Sequence, residues 1–318
     1  MSPRHSHWPR FAPLLLALAC LRAAACAAPA PAVIDIDANS YYSDSHHSIV
    51  DPVRKARNEA AVKPVNDYLD VVARAATRAQ ETGDAADAQC ALRWLASWAE
   101  QKAMQGTMTT AQSYYTRKWT LAGLALSYAR VRSAATPAQR DTIEAWLRQL
   151  AAATIEHAAA HKGARNNHYY WEGLAVTAAG AVTGDARSLA WGRQVFEDAM
   201  RQIQPNGSLP NELERAGKAL HYHLYAAAPL VMMASILDLQ APQLDRLVRF
   251  SAAGVTDPVA IEKMTGFKQE RPTGMPGWIA IYRRHSPAVA PPGPVPANNW
   301  DARMGGDPSL ANPLEHVR

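Results

Sequence analysis

From Asp51 to about Leu239, apolar positions recur every three or four residues, the spacing that lines one face of an α-helix. In 59-EAAVKPVNDYLDVVARAATRAQ-80 the recurring set is Val62, Val65, Leu69 and Val72. Pro64 predicts a helix start or a break there, because its ring removes an amide donor and crowds the preceding turn. Gly83-Asp84 ends this segment and caps the next. Further amphipathic segments are predicted at 85–104, 111–133, 137–162, 167–182, 186–204 and 212–239. They are divided by 105-QG-106, Thr136-Pro137, Lys162-Gly163, Thr183-Gly184-Asp185 and 205-PNGSLPN-211. No stretch alternates with period two for long enough to predict a sheet. Long helices joined by turns this short are antiparallel neighbours. The expected fold is therefore all-α, either a solenoid or an α/α toroid whose incomplete barrel encloses a central cleft. No sequence repeat at a fixed period is present, which points away from a solenoid of standard repeats.

The ends of the chain depart from this pattern. Arg4, His5, His7 and Arg10 precede an apolar, Ala/Leu-rich run that ends in small residues, as a secretory signal peptide does, with cleavage expected near Ala27 or Ala30. Pro13 and Arg22 leave the run too short to span a bilayer. Ala23-Ala24-Ala25-Cys26 resembles a lipoprotein signal only crudely, lacking leucine three residues before the cysteine. The expected organisation is a leader at 1–27, an N-terminal loop and possible lid at 28–50, a catalytic helical domain at 51–285, and an irregular Pro/Gly-rich tail at 286–318. Trp300 and Arg303-Met304-Gly305-Gly306 are the tail's candidate docking points.

Removing the leader changes two global quantities. Of the formal charge of +5, three units (Arg4, Arg10 and Arg22) leave with it, so the mature chain carries about +2 and any electropositive surface is local. Cys20 and Cys26 leave too. Cys90 then stands alone in the apolar run 88-AQCALRWLASWA-99, with no intrachain disulfide expected and a buried, inert thiol predicted. The expected location is periplasmic or secreted, with the protein a monomer free of the membrane once the leader is gone.

Polar and aromatic residues concentrate in three stretches. In 166-NNHYYW-171 amides, histidine, phenols and indole stand side by side. In 209-LPNELERAGKALHYHLYA-226, read as a helix capped by Asn211, Arg215, Lys218 and Tyr222 fall on one face. The third, 113-SYYTRKW-119, carries Tyr114, Tyr115, Arg117, Lys118 and Trp119. Singly, each such residue is expected in the core with its polar tip satisfied. His157 and His161, four apart, face one way but have no carboxylate motif beside them, so neither metal nor cofactor is expected. The stretches offer no carboxylate pair for glycoside hydrolysis beyond Glu212, no phosphate loop and no G-x-S-x-G elbow. Amides, cations and phenols with few acids suit elimination from a uronic acid. There the carboxylate is neutralised so that the C5 proton becomes acidic, and a proton carrier serves the leaving oxygen. Tyrosine can fill that role if nearby positive charge lowers its pKa. The partner expected is an anionic polysaccharide, not nucleic acid. The same residues also suit a non-catalytic, acidic-glycan-binding helical protein.

At these positions the chain resembles the bacterial alginate lyases that act on polymannuronate, polysaccharide lyase family five. The shared strings are Asn166-Asn167-His168-x-Tyr170-Trp171, Leu209-Pro210-Asn211-Glu212-Leu213-x-Arg215, and Ala219-Leu220-x-Tyr222-His223-x-Tyr225-Ala226. Weaker similarity covers Cys90-Ala91-Leu92-x-Trp94, Arg117-Lys118-Trp119 and Arg303-x-Gly305-Gly306. The resemblance implies an α/α toroid. It also implies that Asn167 and Arg215 neutralise the carboxylate, that His168 acts as base or assists neutralisation, and that Tyr222 is the proton donor and, for syn elimination, also the base. By residue type and nearness to these blocks, Tyr115 and Trp171 are candidates to stack on sugar rings, and Arg117, Lys118 and Lys218 candidates to hold flanking carboxylates. Where the family's N-terminal loop carries lysine this chain has Tyr41, which implies looser substrate selectivity. The family's disulfide has no expected counterpart.

Overall fold

A computed structural model describes residues 26–161, 163, 165–291 and 299–315, and among these the regular structure is helical. In chain order the helices are α1 (Pro52–Thr82), α2 (Ala85–Glu100), α3 (Ala111–Val131), α4 (Pro137–Ala160), α5 (Asn167–Thr183), α6 (Ala186–Gln202), the short α7 (Pro210–Leu213), α8 (Ala219–Leu237), α9 (Pro242–Thr256), α10 (Val259–Thr265) and α11 (Trp278–His285). Helices α1, α3, α5 and α8 pack in succession as an inner layer, with α2, α4, α6 and α9 against their outer sides. This is the expected α/α toroid. The sequence sets the layers: α5 buries every residue from Tyr169 to Gly180, so it suits a position enclosed on all sides. By contrast α6 buries a single stripe through Ser188, Gly192, Val195, Phe196, Ala199 and Met200, leaving its other face to water.

Caps place the ends. Asp51 accepts from the amides of Val53 and Arg54 at the start of α1, and Thr136 with Gln139 forms a capping box on α4. Three expectations about the helices are corrected. Helix α1 begins at Pro52 and runs through Pro64 without a break, because Val62, Val65, Tyr68, Leu69 and Val72 are all buried and outweigh one lost amide bond. The segment 212–239 is not one helix. After α7, whose N-cap position is held by Leu209 without a side-chain cap rather than by Asn211, the chain makes a 3-10 turn at 216–218, with Ala216 in the left-handed region at φ 49°, before α8 begins. Helices α9 to α11 fill the stretch beyond Leu239, where no separate helices were predicted.

The expectation that Cys90 has no partner is also overturned: it forms a disulfide with Cys26. The chain after Cys26 is tied down as well, since Trp94 and Trp98 donate their indole N–H groups to the carbonyls of Ala27 and Ala30, both at 3.0 Å. Residues 33–36 run beside 104–108, and Tyr42 and Val50 form an antiparallel bridge that closes the loop before α1.

The described part of the tail docks as the sequence suggested. Trp300 donates to Asp70 at 2.7 Å, Arg130 to the Gly305 carbonyl at 3.2 Å, and Asn312 to the Leu126 carbonyl at 3.0 Å. Gly123 permits this approach, because a Cβ there would stand 2.2 Å from the Ala302 carbonyl oxygen. Gly305 and Gly306 turn with φ of 77° and 112°, a conformation only glycine adopts freely. Arg303 is thereby set over the Trp119 ring at 4.5 Å.

Candidate active site

The inner helices and the N-terminal loop enclose a cavity of about 580 Å³ whose wall includes Tyr41, Tyr42, Tyr115, His168, Arg215 and Tyr222. It continues past Tyr115 and His168 into a side pocket of about 300 Å³ lined by Tyr114, His157, His161, Arg165 and Tyr169.

The N-terminus of α5 positions two of these groups. Asn166 caps the helix by accepting from the His168 amide at 3.0 Å, so Asn167 and His168 occupy its first turn. Asn167 is fully buried and is clamped to Glu212, which has no exposed surface. Its backbone amide donates to Oε1 at 2.8 Å, and its side-chain nitrogen lies 3.1 and 2.9 Å from the two carboxylate oxygens. Arg215 Nε stands 3.7 Å from Glu212 Oε2, an ion-pair distance too long for a hydrogen bond. Burial pushes the Glu212 carboxyl pKa up, against the pull of Asn167 and Arg215.

The His168 ring turns toward the cavity and stacks on Tyr115, with centroids 3.6 Å apart. Behind it Lys118 donates to the His168 carbonyl at 2.7 Å, pairs with Glu172 at 3.2 Å, and sits 4.4 Å from the Tyr115 ring centroid. Although one edge meets the cavity, protein surrounds the His168 ring. Burial, with Lys118, Arg215 and His47, therefore holds its pKa well below the ordinary histidine value, and the imidazole is neutral.

On α8, the Tyr222 hydroxyl hydrogen-bonds that of Tyr42 at 2.8 Å, and the Arg215 guanidinium lies 4.8 Å from the Tyr222 ring centroid. The sequence argument required positive charge to lower this phenol's pKa. Tyr42 and Arg215 do pull it down, but burial outweighs them and pushes it up to about 12, so at neutral pH Tyr222 is a protonated phenol.

Of the residues expected in the site, Tyr41, Tyr115, His168, Arg215 and Tyr222 line the cavity, and Asn167 stands behind it. Four binding assignments are corrected. Trp171 is 1% exposed and packs in the core beside Tyr225. Arg117 is buried over Tyr114 and donates to the Ala153 carbonyl. Lys118 is buried in its pair with Glu172. Lys218 pairs with Glu270 at 2.7 Å and is not part of the cavity wall. Helical spacing shows which residues share a side, not whether that side meets a cavity.

Sequence reasoning missed Tyr42, His47, His221, Tyr225, Asp301 and Arg303 as parts of the wall. Two signals were available: Tyr225 stood in the shared Ala219–Ala226 string, and the Arg303-x-Gly305-Gly306 string marked a docking point rather than a cation for the cavity. His223, next to Tyr222, takes no part: it accepts from the Leu209 amide at 2.9 Å, bonds the Ala219 carbonyl at 2.7 Å, and has no exposed surface.

Comparison with known proteins identifies the family. The alginate lyase family matches residues 35–261. A polysaccharide lyase of Stenotrophomonas maltophilia (strain K279a) is 40% identical over 304 residues, covering 90% of each chain. An alginate lyase of Azotobacter vinelandii is 34% identical over 238 residues, 68% of this chain and 64% of its own. The crystal structure of alginate lyase A1-III from Sphingomonas species A1 superposes with a TM-score of 0.75 at 26% identity, covering 92% of this chain and 86% of that one. A histidine-to-alanine variant of the same enzyme, complexed with tetrasaccharide, superposes equally well at 25% identity. With the family match, the fold and the relatives in agreement, the chain belongs to the alginate lyase family and is a polysaccharide lyase.

Proposed function

We propose that this lyase cleaves 4-linked polyuronates by β-elimination, acting on polymannuronate and also on polyglucuronate and hyaluronan, and leaves 4,5-unsaturated uronate ends. The observation that carries the proposal is the convergence of Arg215, His168 and Tyr222 on one cavity, with Asn167 behind them. Arg215 and the Asn167 amide neutralise the uronate carboxylate, which stabilises the enolate-like anion formed as the C5 proton leaves. Tyr222 gives a proton to the glycosidic oxygen. In mannuronate the C5 hydrogen and the leaving oxygen lie on the same face, so the same phenol, once ionised, also removes the C5 proton. Ionising a phenol with a pKa of about 12 costs about 5 kcal/mol at pH 8. The Tyr42 hydrogen bond and the Arg215 charge both favour the ionised form. A second reading assigns the base role to His168, supported by the burial that keeps its imidazole neutral.

Breadth of substrate follows from where the sugars differ. Mannuronate and glucuronate are epimers at C2, whereas the bonds that break lie at C4 and C5, so only contacts remote from the reaction discriminate between them. Tyr41 supplies a hydroxyl and a ring, tilted against Tyr42 with centroids 4.8 Å apart, where a fixed cation would favour one polymer. The N-terminal loop is proposed as a lid over bound polymer, tethered by the Tyr42–Tyr222 contact and by His46 on the Glu214 carbonyl at 2.8 Å. A disulfide in the mature chain and the leader-like N-terminus support a periplasmic or secreted location.

The deciding experiment incubates mature protein with the three polymers between about pH 5 and pH 9 and follows ultraviolet absorbance of the unsaturated product. No rise with any polymer overturns the proposal and leaves a non-catalytic glycan binder. Tyr222→Phe should lose about a thousandfold in kcat or more while KM changes by less than about fivefold, because only a proton carrier is removed.

A further inference from the structure

Glu212 stands directly behind the two groups assigned to the uronate carboxylate, and in its ionised form it works against both. Its charge offsets that of Arg215, 3.7 Å away. Its two oxygens hold the Asn167 side-chain nitrogen at 3.1 and 2.9 Å, which leaves the opposite end of the amide, Oδ1, buried without a partner. An oxygen is the wrong end of an amide to offer to an anion. One proton corrects all of this. Placed on Glu212 Oε2, it donates to Asn167 Oδ1 once the amide turns over, while Oε1 keeps the bond from the Asn167 backbone amide at 2.8 Å. The amide nitrogen is then free to donate to the uronate, and the Arg215 charge is no longer offset.

We propose that Glu212 takes up a proton from solvent as the uronate binds, so that Asn167 turns its amide nitrogen, and Arg215 its uncompensated charge, toward the substrate carboxylate. Glu212 is a positioning residue, acting through Asn167 and Arg215, and the proposal rests on the polyuronate reading above. The groups that face it are Arg215 and Glu214 from its own segment, Asn167 and Tyr170 from α5, and Tyr222 from α8. Burial, the neighbouring Glu214 carboxylate and an arriving uronate all favour the protonated form. Arg215 and the Asn167 donors oppose it, and one of those donors becomes an acceptor when the amide turns. His168, the other group that could take a proton, is held neutral by burial beside Lys118 and Arg215.

The test uses Tyr222→Phe protein, which retains Glu212 but turns over slowly, titrated with tetramannuronate at about pH 7 in buffers of different ionisation enthalpy. The expected result is uptake of about one proton per bound ligand. Adding Glu212→Gln should abolish it, because the glutamine amide supplies the N–H that the protonated acid supplies otherwise. Absence of binding sinks the polyuronate reading itself. Binding without proton uptake overturns the present proposal, and so does uptake that survives Glu212→Gln, since that proton then belongs to His168. A difference infrared spectrum of the Tyr222→Phe protein provides a measurement independent of the folding of Glu212→Gln. With ligand carboxylates labelled with heavy carbon, an unlabelled protonated-carboxyl band must appear on binding, and its absence overturns the proposal.

Discussion

The hydroxyl oxygens of Tyr42 and Tyr222 stand 2.8 Å apart, joining the N-terminal loop to a helix 180 positions further along the chain. Burial pushes the pKa of Tyr42 far above the ordinary phenol value, so Tyr42 remains protonated and is the donor when Tyr222 ionises. The contact ties the proposed lid to the residue proposed as proton carrier.

Tyr42→Phe should therefore raise the pKa of Tyr222 and lower kcat by about tenfold or more, the usual worth of a hydrogen bond to a charged acceptor. The pH profile of kcat separates the two bases. With Tyr222 as base, kcat rises about tenfold per pH unit below a pKa of about 12, and Tyr42→Phe displaces that limb to higher pH. A profile level between about pH 7 and pH 9 assigns the C5 proton to His168 instead.

Lys118 is predicted to matter for stability and activity through different contacts. Lys118→Met leaves the Glu172 carboxylate buried without its ammonium partner, at a cost of about 3–5 kcal/mol in a denaturant titration. Lys118→Met combined with Glu172→Leu should recover most of that loss, yet keep a lowered kcat, because the His168 carbonyl and the Tyr115 ring have lost their support. Wild-type kcat in the stable double variant would confine Lys118 to a structural role.

Acid should destabilise the protein before carboxylates titrate. His223 is fully buried, and burial lowers its pKa to about 4, whereas in the unfolded chain it lies near 6.5. Between these values the unfolded state binds more protons, so stability is full above about pH 6.5 and falls as pH drops toward 4, by about 3 kcal/mol from this residue. His157, lowered to about 4 by burial and by His161 and Lys118, acts in the same direction. A melting temperature that is constant from pH 6.5 to 4.5 would contradict this account.

The Cys26–Cys90 bridge, spanning a sequence separation of 64, is predicted to stabilise the fold by about 4 kcal/mol through the restricted unfolded chain. Cys90→Ser should lower the denaturation midpoint, and reductant should no longer affect it. If the expected leader is removed, the bridge requires the cut to fall no later than after Ala25, earlier than the positions near Ala27 or Ala30 that the small-residue pattern suggested. Mass spectrometry of the protein expressed in a secreting bacterial host should then find Cys26 at or near the new N-terminus. A chain beginning at Cys26 with a diacylglyceryl group, or one beginning after it, would rule the bridge out.

Much of the candidate site was legible because the relevant chemistry is local in sequence. Asn166, Asn167 and His168 sit together since a capping residue and the first helical turn are contiguous. Arg215 and Tyr222 are close enough in the chain to remain neighbours despite the turn at Ala216. Misassigned residues share one cause: Arg117, Lys118, Trp171 and Lys218 have the right chemistry at the right spacing, but distant segments bury them or pair with them. Arg303 and Asp301 were unrecognised because they reach the cavity from the far end of the chain.

By itself, then, the sequence determined the all-helical architecture, most helix boundaries and the residues able to handle a uronate. Apolar periodicity, caps and breakers act over a few residues, where the chain carries complete information. The tertiary structure decided which polar side chains meet the cavity and which are sealed in the core, where the tail lies, and that Cys26 finds Cys90. Those outcomes depend on the surface that each helix face meets, supplied by segments tens to hundreds of residues away. Burial decides in the same way whether Tyr222 rests as phenol or phenolate and how Glu212 divides its charge with Asn167 and Arg215.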